Sequence, residues 1–277
     1  MSMFKLSSDS KLLENEMIKI SSVFSGHRNS KLNRLSIMFL GLMFVAVNSA
    51  NAASSDQSDK AIEYGVIDHI LLATNNLDAA VEQIKKTLDI DAEYGGKHPA
   101  YGTENYLFSL GGRSYVEIAG AQSNWTGEEN SLRAAIQATN GPEILGFAVE
   151  TSKIEEKRRL AKSLNLDVSE IIEGSRVQPN GKTVYYRGMV VRSAKYKGLV
   201  PFFIEWVRSE HPGLTSPKGA KLKKIKVIHP EPEGLRQIYE KIGVAIDVKA
   251  GLQPQIQLDV SSPKGDLMII GAGSMVF

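Results

Sequence analysis

The chain has 277 residues, with 33 Lys and Arg against 31 Asp and Glu and no cysteine. The missing cysteine excludes a disulfide framework, a Cys-based zinc motif and a lipid-modified N-terminal cysteine. Residues 1–52 hold six basic and three acidic side chains, leaving 27 against 28 downstream, a balance that gives no support to a nucleic-acid or anionic-membrane role.

Lys31 and Arg34 precede Leu35 to Val47, an unbroken apolar stretch of 13 residues that runs into NSANA. The stretch falls short of the roughly 20 residues needed to span a bilayer, and Ala50 and Ala52 supply the small side chains that a signal peptidase requires. We expect residues 1–52 to be a signal peptide with an N-terminal extension, cleaved near Ala52. The mature protein is then periplasmic or secreted, without a stable membrane anchor, and residues 53–64 form a flexible linker.

Val66 to Thr74, VIDHILLAT, is the first expected strand, and it places Asp68 and His69 side by side in an otherwise apolar run. A buried imidazole needs a hydrogen-bond partner or a metal to offset its lost hydration. Leu77, Val81, Ile84 and Leu88 then recur at helical spacing, with Asn75 or Asn76 as the cap. NYLFSL and SYVEIAG follow as strands joined by a Gly-Gly turn.

The plan repeats from Gly146: a strand, a turn at Thr151 matching Thr74, and a helix with Ile154, Leu160, Ala161 and Leu164 on one face. KTVYYRGMVVRS and LVPFFIEWVR close this second unit. A fainter third copy reads KLKKIKVIHP, EGLRQIYEKIG, VAIDVKA, QPQIQLDV and GDLMIIGAG. The fold class is therefore α+β, built from repeated βαβββ modules with their helices outside. Residues 65–213 pair two modules into an open, curved mixed barrel, and 214–277 form the third. That third module either covers the first two or meets its counterpart in a homodimer.

Three segments together resemble the glyoxalase-like family of the vicinal-oxygen-chelate superfamily: IDHILLATNNLDAAVEQI, GGKHPAYGTENYLFSLGGRSYVEIAG and PFFIEW with its following HPG. The resemblance implies a barrel whose metal ligands come from the first and fourth strands of each module. It assigns His69 and Glu117 in the first module and Glu205, at the position matching Glu117, in the second; Gly146 stands where a second ligand matching His69 would be. Such a set would suit zinc, manganese, nickel or iron.

On physical grounds Glu117 and Glu205 lie within strongly apolar strands, where an ionised carboxylate must find water, a cation or an acid. Either they hold a metal, or Glu117 acts as a base toward carbon-bound protons. His98 and His211 are candidates to complete the site or to stiffen loops through their following prolines. Around them Tyr101 and Tyr115 offer aromatic walls, Thr103 and Asn105 hydrogen bonds, and Arg113 a clamp for a carboxylate. The expected function is an exported protein that binds a small organic ligand, with or without a divalent metal, for isomerase, lyase or dioxygenase chemistry. The rivals are a metal-free sequestration protein and a non-catalytic interaction module.

Overall fold

The structure is a computed structural model that describes residues 65–178 and 180–275. The expected signal peptide and the expected linker, residues 53–64, lie outside the described residues. Among the described residues no helix is long and apolar enough to cross a membrane.

The first unit comprises β1 (Val66–Ala73), α1 (Leu77–Leu88), β2 (Glu93–His98), β3 (Thr103–Ser109) and β4 (Tyr115–Ala121). Asn76 caps α1 by accepting the Ala79 amide at 3.1 Å, and the helix stops at Asp89 in the left-handed region. A short helix, α2 (Ser131–Gln137), leads to the second unit. This contains β5 (Glu143–Glu150), α3 (Ile154–Ser163), β6 (Asp167–Val168), β7 (Ile172–Val177), β8 (Thr183–Met189), β9 (Val191–Arg192) and, after a 3-10 turn, β10 (Phe202–Trp206). A four-residue helix, α4 (Pro212–Thr215), leaves it.

These two units share one eight-stranded sheet in the order β2-β3-β4-β1-β5-β10-β8-β7. In each unit the first strand runs parallel to the last, β1 with β4 and β5 with β10, and β1 and β5 join the halves as an antiparallel pair. Alternation along β1 sends Ile70 and Leu72 to the helical side, where they pack with Ile84, Leu88 and Phe147 in the core. Each such buried aliphatic contributes about 1.5–3 kcal/mol. His69 and Leu71 are left to face the interior of the curved sheet.

The sheet curls until its edge strands meet without pairing. Across the β2–β7 seam the Arg176 guanidinium donates to the Gly95 carbonyl. Gly96 makes the close approach possible: a Cβ on it would stand 2.6 Å from the Val177 carbonyl oxygen, and its φ of 126° suits glycine.

The third unit holds β11 (Lys221–His229), α5 (Pro232–Ile242), β12 (Asp247–Ala250), β13 (Gln255–Ser262) and β14 (Gly265–Gly271). Its elements follow the expected βαβββ order, but its sheet runs β12-β11-β13-β14. Here α5 returns the chain to pair β12 directly beside β11, whereas in the first unit α1 delivers its next strand to the far edge. The third unit joins the barrel within the same chain. Lys157 Nζ on α3 donates to the Ile242 carbonyl at 2.9 Å, and the Met275 amide donates to the Leu145 carbonyl at 2.9 Å.

Candidate functional site

The register of β1 on β5 slips between Ile67 and His69, so Asp68 is the extra residue of a bulge. A bulge breaks strict alternation and re-aims side chains. Here it lets two sequence neighbours bond each other: His69 Nδ1 and Asp68 Oδ1 are 2.5 Å apart. Asp68 is wholly buried, and its Oδ2 also accepts Trp206 Nε1–H at 2.7 Å and lies 2.9 Å from His211 Nε2. Burial alone would raise the Asp68 pKa, yet the hydrogen bonds from His211 and His69 outweigh it and hold this carboxyl far below the usual range.

Protons in the cluster are fixed by its partners. His211 Nδ1 accepts the Gly213 amide at 3.0 Å, so its hydrogen sits on Nε2 and points at Asp68. Asp68 likewise keeps a proton on His69 Nδ1, which turns His69 Nε2 toward Glu117 Oε2 at 3.5 Å. Burial pulls the His69 imidazole down, but the hydrogen bond and charge of Asp68, with the charge of Glu117, lift it above its ordinary value. Glu117 is the mirror case: burial pushes it up, while His69, His98, the Asn105 amide and Arg176 bring it below its usual value. Asn105 Nδ2 donates to Glu117 Oε1 at 3.0 Å.

These groups open onto a cavity of about 290 Å³ inside the barrel. Tyr115 lies tilted against the His69 ring at 4.8 Å, and Phe202 meets that ring edge-on at 5.2 Å. His98, held through Nδ1 to Thr103 Oγ1 at 3.1 Å, is kept neutral by burial, which lowers its pKa. Leu132 and Ile136 of α2 cover one side, fastened by Asn130 Nδ2 donating to the Tyr101 carbonyl at 3.1 Å.

His69, His98, Tyr101, Thr103, Asn105, Tyr115 and Glu117 thus line one cavity. Three other expected residues do not. Glu205 points outward and pairs with Arg187 Nη1 at 2.6 Å. Arg113 does clamp a carboxylate with two N–H groups, but that of Glu150 on the outer side. His211 is buried behind Asp68 and away from the ligand space. The error over Glu205 is one of register. Leu71 pairs with Glu117, and Ala148, two residues after Gly146 as Leu71 is after His69, pairs with Phe202. Phe202, not Glu205, therefore occupies the position equivalent to Glu117, and the odd offset of Glu205 puts it on the opposite face. Asp68, Arg176 and Trp206 were missed as site residues; only Asp68 carried a signal, as a lone acid in an apolar strand.

A family model described as a glyoxalase-like domain matches residues 67–243. The chain belongs to the glyoxalase-like domain family. This glyoxalase-like protein matches no curated protein. Among solved structures it is similar to a hypothetical protein from Staphylococcus aureus, at 18% identity and a TM-score of 0.53 over 74% of this chain and 84% of that one. It is also similar to methylmalonyl-CoA epimerase from Mycobacterium tuberculosis, at 17% identity and a TM-score of 0.39 over 56% of this chain and 95% of that one. A variant of the Streptomyces coelicolor methylmalonyl-CoA epimerase, in complex with 2-nitronate-propionyl-CoA, gives 19% identity and a TM-score of 0.40 over 52% of this chain and 98% of that one.

The four-ligand metal centre that the superfamily implies does not fit the donors of this glyoxalase-like chain. His69 and Glu117 are in place, but the equivalent positions of the second module carry Gly146 and Phe202, neither of which can ligate. A Cβ on Gly146 would stand 2.9 Å from Met275 Cε, so an apolar side chain occupies that quarter of the interior. Elsewhere Asp68, Glu150 and His211 bring three ligand atoms within 4.8 Å of one another, close enough to share an ion. Their hydrogen bonds oppose that use: His211 Nε2 carries its proton toward Asp68, and the Arg113 guanidinium already neutralises Glu150.

Proposed function

We propose that this glyoxalase-like protein binds a small organic molecule in the barrel cavity and moves a proton at a carbon beside a carbonyl, an isomerase-type reaction. One observation carries the reading. Asp68, His69 and Glu117 form a line of polar groups, buried at Asp68 and reaching the cavity at His69 and Glu117, with His69 Nε2 3.5 Å from Glu117 Oε2. In the neutral imidazole Nε2 bears a lone pair, because Asp68 retains the proton on Nδ1. Removal of a C–H proton by Nε2 sends the bonding pair toward the carbonyl oxygen and creates an imidazolium between two carboxylates. Return of that proton to a neighbouring carbon completes the isomerisation. His69 is the acid–base residue and Asp68 positions it.

The test is deuterium incorporation from D2O into 2-oxo acids and 2-hydroxy ketones, followed by proton NMR. Exchange should fall by on the order of a hundredfold or more in His69→Asn. Compounds that bind without exchanging would leave a sequestration role instead. We also propose that the protein acts outside the cytoplasm, a reading supported by the apolar stretch Leu35 to Val47 and by Ala50 and Ala52. Sequencing the N-terminus of protein from fractionated cells checks it.

A further inference from the structure

Arg176 is a buried cation with no carboxylate of its own. It is only 4% exposed, it reaches from β7 into the cavity, and its one hydrogen bond among the described residues is from Nη1 to the Gly95 carbonyl. Its charge is felt by the Glu117 carboxylate, but no ion pair or hydrogen bond joins it to any acid among the described residues. A guanidinium withdrawn from water in this way is costly unless an anion comes to it. Nε and Nη2 are left as a planar donor edge, the shape that matches a carboxylate.

A second buried group has the opposite need. Asn105 is 1% exposed, and its Oδ1 has no hydrogen-bond donor among the described residues. The amide cannot be turned over to relieve this, because Nδ2 is committed to the Glu117 carboxylate. Asn105 Oδ1 lies beside this guanidinium: a Cβ on Gly95 would stand 2.3 Å from it and 2.5 Å from Arg176 Nη1, the nitrogen bonded to the Gly95 carbonyl. Most of the remaining wall is apolar or aromatic, including Leu71, Ile136, Met189 and Phe202.

We propose that the cavity recognises a small organic monoanion, with its carboxylate on Arg176, a hydroxyl donor on Asn105 Oδ1 and an apolar or aromatic body against the remaining wall. The inference rests on the reading of this cavity as the ligand site and names its substrate class. It does not depend on the proton transfer. Arg176 also bears electrostatically on His69, His98, Tyr115, Glu117 and Tyr186, cavity groups within reach of its charge.

Titration calorimetry with three probes tests it: mandelate, its neutral isostere mandelamide, and phenylacetate, which lacks the hydroxyl. Mandelate should bind the wild type on the order of tenfold or more tightly than mandelamide, and several-fold more tightly than phenylacetate. In Arg176→Gln the preference for the anion should collapse, while Arg176→Lys should retain part of it and shows that the fold tolerates substitution there. Equal affinities for mandelate and mandelamide, a preference that survives in Arg176→Gln, or no binding of any probe at millimolar concentration would each overturn the assignment. Deuterium exchange in the wild type separates the two readings, because the preference for the anion is measured without it. A wild type with that preference but no exchange would sink the proton-transfer reading alone.

Discussion

Asp68 and His69, adjacent in the chain, hydrogen-bond each other at 2.5 Å because the strand bulges between Ile67 and His69. An uninterrupted strand would have sent them to opposite faces.

The first consequence concerns stability. Asp68 accepts from Trp206 and His211 as well as His69, so Asp68→Ala leaves three donors unpaired, two of them on buried histidines. We expect a loss of about 3–5 kcal/mol, the scale for breaking a buried charged pair. Trp206→Phe removes one donor and should cost about 1–3 kcal/mol. Urea denaturation of the three proteins measures both.

The pH dependence follows from shifts of opposite sign. Asp68 and Glu117 titrate below their unfolded values, so their contribution is present above about pH 4 and is lost as the pH falls further. His69 titrates above its unfolded value, so its contribution is complete below about pH 6.5 and is lost as the pH rises through the folded value. Stability from this cluster therefore peaks between about pH 4 and 6.5. In His69→Asn the decline on the alkaline side should flatten, which denaturation at half-unit pH steps would reveal.

Chelation should leave the protein as it was. With Gly146 and Phe202 at the second module's ligand positions, dialysis against EDTA is expected to change neither the melting temperature nor the anion preference. Zinc retained at one ion per chain after gel filtration would contradict this.

Gly95→Ala probes the seam. The added methyl must displace both Asn105 Oδ1 and Arg176 Nη1, and Leu107 Cγ stands 3.0 Å away. Overpacking of this kind costs about 1–3 kcal/mol. Binding of mandelate should weaken several-fold even where the protein remains folded, as calorimetry and thermal melting together would show.

Much of this was legible in the residues. The amphipathic helices and the Gly-Gly hairpin at Gly111 and Gly112 follow from periodicity and turn chemistry, and the glyoxalase-like motif put His69 and Glu117 on the first and fourth strands, which the structure pairs. What was not legible depends on register. Matching Glu205 to Glu117 compared like residues, whereas the backbone pairing of Ala148 with Phe202 decides which side chain faces inward. Arg113 and Arg176 are both strand-associated arginines, and only the curl of the sheet separates the one that meets Glu150 from the one that enters the cavity. The third unit shows the same limit, since a βαβββ order of elements is compatible with more than one order of strands.

Met275 carries one last consequence. It comes from the last of the described residues, yet it packs inside the barrel with Leu71, Ala119 and Ile136, and its amide extends the hydrogen bonding of β5. Neither sheet is then a separate thermodynamic body: the smaller one anchors the plug that finishes the interior of the larger. Heating or denaturant should dissolve both in a single cooperative transition, and the ligand chamber comes into being only once the chain has closed upon itself.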